Sequence, residues 1–194
     1  LAFQKNPEGA PSPVPIDKCP WCQEPFGQDT FRLLPNMDDP KHLRVRCMGA
    51  SCAFRWSQRW PEGLPVLAVD DEIYRELPCF LIATVDKFAA LPWVGRAGAL
   101  LGRNVTHRTP EGFAGPAESL PGATPLPAPL LPPDLIIQDE LHLISGPLGT
   151  MVGLFETALD ALSTREVNGV RVRPKIVAST ATVRNAQSQV RALF

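Results

Sequence analysis

A chain of 194 residues with 44% apolar composition has material for one full domain, or one domain with a small satellite, which excludes a wholly disordered chain. Nineteen basic residues against twenty acidic ones give a formal net charge of -1, which excludes a whole-chain electrostatic signature of nucleic-acid binding; any basic surface must be local. No apolar run approaches the ~18 residues of a membrane helix, and the opening LAFQKNPEGAPSPVP lacks the charged start and apolar core of a secretory signal, so a cytoplasmic protein without a membrane partner is expected.

The 22 prolines are roughly twice the usual ~5% share, and they cluster. PEGAPSPVP near the start predicts a linker over residues 1–16, because proline favours extended, unpaired backbone. The chain also opens on Leu1 and closes on VRALF without a polar tail, which reads as a piece of a longer protein.

Four of the five cysteines fall into two pairs, Cys19 with Cys22 in CPWC and Cys47 with Cys52 in CMGASC. Two short-spaced pairs far apart match a zinc ribbon, in which each pair sits on a tight knuckle and four thiolates complete a tetrahedron. The competing readings are a disulfide pair or buried thiols, but disulfides rarely persist in a chain without an export signal. The second pair brackets four residues rather than two, a looser match. Four thiolates leave zinc no open position, so the ion would be structural, supporting a module over residues 17–62. His42 is expected as a surface histidine rather than a ligand.

Arg44, Arg46, Arg55, Trp56, Arg59 and Trp60 interleave guanidinium and indole groups around the second pair. Such a set can grip phosphate and stack on bases. It can equally pack the module against a host domain, and Asp17, Glu24, Asp29, Asp38, Asp39 and Glu62 nearly cancel its charge, which favours packing.

Residues 63–194 read as a second domain. CFLIATVDKFAAL, from Cys79 to Leu91, predicts a buried strand, with Cys79 inside it, that ends in the polar TVDK and enters a short helix. Residues 102–133 contain the proline-rich GPAESLPGATPLPAPLLPP and predict a long loop. LII, Leu135 to Ile137, follows a proline turn and suits a buried strand of a parallel sheet whose carboxyl end delivers Asp139 and Glu140. GTMVGLFETALDAL spaces Met151, Leu154, Phe155, Ala158, Leu159 and Leu162 on one helical face, and KIVASTAT predicts the next strand. Strand, helix and strand in that order form a βαβ unit. In parallel sheets ligands sit beyond the carboxyl ends of the strands, so the two carboxylates can do different jobs there. Asp139 suits a magnesium ion held through water, and Glu140 suits positioning the water that attacks a terminal phosphate.

These residues carry a resemblance. DELH, from Asp139 to His142, resembles the DExH form of motif II of superfamily 2 helicases. STAT, from Ser179 to Thr182, resembles their motif III, and TVDK, from Thr84 to Lys87, resembles the motif Ib region. IIQDELHLISGPLGTMVGLFE is similar to the large helicase subunit of DISARM, the bacterial anti-phage defence system, over roughly residues 79–194. The resemblance implies an α/β fold, a partial RecA-like parallel sheet flanked by helices, with the zinc-ribbon module inserted or appended. It implies magnesium and ATP as cofactors, and as partners DNA that is single-stranded or carries a single-stranded overhang, with other defence subunits. It assigns magnesium to Asp139 and water activation to Glu140. His142 would link the nucleotide site to motif III. Ser179, Thr180 and Thr182 would relay nucleotide state to the nucleic-acid groove, and Thr84 and Lys87 would touch the phosphate backbone. Gln138 stands where these helicases often have an apolar residue or aspartate.

No GxxxxGK[ST] phosphate loop occurs in the chain, and there is no room for a second RecA-like domain. The whole protein is therefore expected to hydrolyse ATP and this piece alone is not. Two other readings compete: a non-catalytic binding module in which the zinc ribbon acts on a RecA-like scaffold, and a metal-dependent hydrolase with Asp139, Glu140 and His142 as direct ligands. The second conflicts with the alternation of neighbouring strand residues between faces, unless a turn intervenes.

Overall fold

A computed structural model describes residues 5–6, 9–55, 63–84, 86–87, 93–102, 105–140 and 149–179. The chain divides into two units, Leu1–Pro78 and Cys79–Phe194.

The first unit is built on an antiparallel pair, β1 (Phe31–Leu34) and β2 (His42–Val45), with Phe31 opposite Val45 and Leu33 opposite Leu43. Phe31, Leu43 and Val45 are buried with Val14, Phe26 and Leu64, while Cys19, Cys47 and Cys52 lie in the same core. Val14 comes from the proline-rich start and Leu64 from beyond the second cysteine pair, so the core draws on chain well outside the cysteine segment. Phe26 meets Phe31 edge to face, with centroids 5.7 Å apart. Leu64 is held by its N–H donating to the Val45 carbonyl at 2.7 Å. The preceding Gly63 has φ +81°, and a Cβ there would run into that same carbonyl oxygen, so the close approach requires glycine.

Helix α1 (Asp70–Glu76) carries Asp70, Asp71 and Glu72 in its first turn, where the N-terminal dipole favours negative charge. Glu72 is buried and ties the helix to β2. Its Oε1 accepts from Arg44 Nη1 at 2.6 Å and lies 3.0 Å from His42 Nδ1, and its Oε2 accepts from the Leu43 N–H at 3.2 Å. Arg44 Nη2 also reaches Glu76 at 2.9 Å. His42 stays at the surface with 38% of its side chain exposed, as expected, but it is engaged by a carboxylate thirty residues away.

In the second unit, β6 (Leu135–Gln138) and β9 (Lys175–Ala178) pair in parallel, Ile136 opposite Ile176 and Gln138 opposite Ala178. Helix α2 (Gly149–Ser163) and the hairpin β7 (Arg165–Val167) with β8 (Val170–Val172) lie between them in sequence. The hairpin turns at Asn168 and Gly169, both with positive φ, the backbone a two-residue turn demands. Arg165 Nη1 meets Asp134 Oδ1 at 2.6 Å, anchoring the hairpin where β6 begins. On the expected apolar face of α2, Phe155 and Leu159 are half-buried, whereas Ala158 and Leu162 are exposed.

Three expectations need correction. The strand at Leu135–Gln138 forms but is not buried: Leu135 and Ile137 are 51% and 59% exposed, because among the described residues it belongs to a two-stranded sheet whose faces are not both covered. CFLIATVDK does not form a buried strand. Residues 79–84 are not paired in any sheet, Phe80 and Ile82 are 70% and 83% exposed, and Cys79 is exposed. Among the described residues no strand lies beside this run, and an unpaired strand leaves its backbone groups without partners. Residues 102–133 are not a plain loop either. They contain a three-stranded antiparallel sheet ordered β4 (Gly112–Phe113), β3 (His107–Thr109), β5 (Thr124–Pro125). Proline is accommodated because β5 pairs on one side only. A 3-10 turn over Gly95–Leu101 precedes it and buries Ala97 and Ala99, and Val105 is fully buried.

The architecture is thus mixed α/β with several small sheets, of which one is a parallel pair. Among the described residues no helix is long and apolar enough to cross a membrane.

Candidate functional site

The four paired cysteines converge. Their sulfurs all lie within 4.8 Å of one another, with Cys22 Sγ 3.4 Å from Cys47 Sγ and Cys19 Sγ 3.9 Å from Cys52 Sγ. A disulfide needs sulfurs about 2.05 Å apart, and all the cysteines are free thiols. Four thiolates about 2.3 Å from a central zinc would stand roughly 3.8 Å apart in a regular tetrahedron. The observed spacing brackets that value, so the four residues fit a four-coordinate ion such as zinc.

Local backbone builds each knuckle. The Cys19 N–H donates to the Glu24 carbonyl and the Gln23 N–H to the Cys19 carbonyl, both at 2.9 Å, with Gln23 in the left-handed region at φ 65°. The turn brings the amide of Glu24 onto the Cys22 sulfur. The second knuckle repeats the device, with the Gly49 N–H donating to Cys47 Sγ at 3.3 Å and the Phe54 amide to Cys52. In each case the amide comes two residues after the cysteine. That regularity is readable in the sequence once the ligands are known. Gly49 also sits close against the sulfurs: a Cβ there would lie 3.2 Å from Cys22 Sγ and 3.4 Å from Cys47 Sγ, tighter than an ordinary contact.

The electrostatics call for a cation. The Glu24 amide draws the Cys22 thiol below its ordinary range, whereas burial pushes Cys47 and Cys52 up. Clustered thiolates in a low-dielectric core repel one another and lose their hydration, so only a bound cation makes the fully ionised set favourable.

A second group, His42, Glu72 and Glu76, also brings three donor atoms within 4.8 Å. Here the cation is already present, because the Arg44 guanidinium bridges Glu72 and Glu76. This cluster is an ion-pair clamp. Arg46 is likewise engaged, its Nε donating to the Asp29 carbonyl at 2.7 Å. Of the arginine and tryptophan set, Arg55 is exposed, while Trp56, Arg59 and Trp60 lie outside the described residues. Trp21, which drew no notice in the sequence, is 67% exposed on the first knuckle and meets Phe54 of the second edge to face at 5.6 Å.

In the second unit, the carboxyl ends of β6 and β9 lie side by side. The ladder continues past both strands, with the Ser179 N–H donating to the Gln138 carbonyl at 2.8 Å, so Asp139 and Ser179 leave adjacent strand ends. Both are exposed, as is Glu140. Glu140 has φ 54°, and its N–H donates to Asp139 Oδ1 at 2.9 Å. The left-handed turn breaks the alternation that would send the two carboxylates to opposite faces. Beneath them, Gln138 Nε2 donates to Glu156 Oε1 of α2 at 2.8 Å, joining the strand end to the helix. Thr84 and Lys87 are exposed on a turn in which the Lys87 N–H donates to the Thr84 carbonyl at 3.0 Å. His142, Thr180 and Thr182 lie outside the described residues.

No family model matches the chain. It is 38% identical over 199 aligned residues to the DISARM protein DrmA of Bacillus paralicheniformis, an alignment that takes in 92% of this chain and 16% of DrmA. The chain spans about a sixth of the length of the curated relative it matches. Over nearly its whole length the chain is therefore similar to one part of DrmA.

Proposed function

We propose that these residues form part of the first motor domain of an ATP-dependent superfamily 2 DNA helicase or translocase in bacterial anti-phage defence, with a RecA-like sheet and a structural zinc ribbon held by Cys19, Cys22, Cys47 and Cys52. The observation that carries the motor reading is the adjacency of Asp139 and Ser179 at the carboxyl ends of two parallel strands joined by a helix. That edge is where open parallel sheets place their ligands. The likeness to DrmA supports the defence setting, with other defence subunits as partners.

In this reading Asp139 holds magnesium through water, and ATP supplies the phosphoryl group that passes to water. Glu140 orients the attacking water, and the turn at φ 54° lets it face the same space as Asp139. Ser179, with Thr180 and Thr182, couples that space to the nucleic-acid groove, and His142 joins the two. Thr84 and Lys87 contact the backbone of DNA that is single-stranded or carries an overhang. The 194 residues contain no GxxxxGK[ST] loop, so turnover is assigned to the whole protein and this stretch alone is inactive.

The test is ATP hydrolysis by the full-length protein with and without single-stranded DNA, comparing wild type with Glu140→Gln. DNA-stimulated turnover that disappears in the variant supports the motor. Absence of turnover in the wild type, with DNA still bound, favours the second reading, a zinc-ribbon binding module on a RecA-like scaffold. Exposed Trp21 and Arg55 on the cysteine unit are the observation behind that alternative.

A further inference from the structure

The four clustered sulfurs are unequal in their access to solvent. Cys19, Cys47 and Cys52 are buried, and Cys22 is exposed. Cys22 is also the sulfur with the nearer partner across the knuckles, 3.4 Å from Cys47 against 3.9 Å between Cys19 and Cys52. A tetrathiolate zinc site is normally inert because its sulfurs are shielded. Oxidants select thiolates that are both ionised and accessible, and a neighbouring thiolate then resolves the product.

The structure assigns Cys22 and Cys47 as an oxidation site for peroxides, at which formation of a Cys22–Cys47 disulfide ejects the zinc ion. This rests on the zinc reading above and extends it from support to regulation. The Cys22 thiolate attacks one peroxide oxygen, the O–O bond breaks, and a sulfenic acid forms with loss of hydroxide. The Cys47 thiolate then attacks the Cys22 sulfur. The S–S bond forms as the S–O bond breaks, releasing a second hydroxide. Two thiolates thus deliver two electrons to one peroxide, and zinc, left with two ligands, departs as the divalent ion.

The consequence reaches the core, because Cys47 is buried among Val45, Leu64 and the other residues that hold the first unit together. Loss of the ion would therefore loosen the packing of the knuckles, including the contact of Trp21 with Phe54.

The experiment treats the zinc-loaded full-length protein with hydrogen peroxide, measures released zinc with a chromogenic chelator, and maps disulfides by tandem mass spectrometry. Trypsin separates Cys19 and Cys22 on the peptide 19–32 from Cys47 and Cys52 on 47–55. The expected result is zinc release that tracks a Cys22–Cys47 bridge one for one and reverses with dithiothreitol and added zinc. Cys22→His, which keeps a zinc-binding group but removes the exposed sulfur, should slow release at least about tenfold. Cys79, exposed and outside the cluster, is the internal standard. Zinc retained while Cys79 is oxidised overturns the assignment, as does a bridge within one knuckle or Cys22→His releasing zinc at the wild-type rate. If Cys22→His does not load, the wild-type disulfide map decides. Wild-type protein that purifies without zinc removes the zinc reading itself, and this assignment with it.

Discussion

Ser179 donates its backbone N–H to the carbonyl of Gln138 at 2.8 Å, the last rung of the parallel ladder among the described residues, and so stands beside Asp139 at the carboxyl ends of two strands separated by a helix and a hairpin in sequence. The relationship brings a hydroxyl and two carboxylates to one edge. Open parallel sheets place their ligands beyond such carboxyl ends.

Replacing Glu140 by Gln preserves size and the left-handed turn but removes the charge that would orient the attacking water. ATP turnover by the full-length protein is expected to fall by about 100-fold or more, the scale seen when one positioned electrostatic group is removed. Nucleotide binding, followed with a fluorescent analogue, should remain. Turnover within a few-fold of wild type would take Glu140 out of the mechanism.

Elemental analysis of the purified protein is expected to find one zinc held by the four cysteines. Prolonged chelation, or Cys47→Ser, should remove it and abolish cooperative unfolding of the first unit, because three of the sulfurs are part of its core. An unchanged thermal transition after complete zinc removal would show that the ion is not structural.

Gly49→Ala inserts a methyl group 3.2 Å from Cys22 Sγ and 3.4 Å from Cys47 Sγ. The sulfurs must spread, and zinc affinity in a competition titration is expected to drop about tenfold, the lower end for changes in groups that orient metal ligands. Gly27→Ala, where a Cβ meets nothing within 4 Å, is the control and should leave affinity unchanged.

Glu72→Ala leaves Arg44 and the Leu43 N–H without their buried carboxylate. Its side chain is only 2% exposed and Arg44 18%, so the loss should be about 3 kcal/mol, read by urea denaturation. Pairing Glu72→Leu with Arg44→Met should recover most of it, since a buried ion pair is costly to break but cheap to replace with apolar groups. A near-neutral Glu72→Ala would mean that water already screens the pair.

How much of this was legible in the residues alone differs between the two units. Short cysteine spacings predict knuckles because a tight turn is the only way for two thiols so close in sequence to face one ion, and the structure brings all four together. An apolar run, a helical periodicity and a second apolar run predict strand, helix and strand for the same local reason: side-chain period reports backbone geometry. The sequence therefore determined those elements and the identity of the clustered thiols. Tertiary structure alone decided what meets across long separations. Nothing in the order of residues reveals that Glu72 closes over His42 and Arg44, that Gln138 is tied to Glu156, or that Cys22 is exposed while its three partners are buried. The run at 79–84 shows the limit from the other side. Its apolar composition is that of a strand, but a strand exists only where a neighbour supplies hydrogen bonds, and that is a property of the packed chain rather than of the segment.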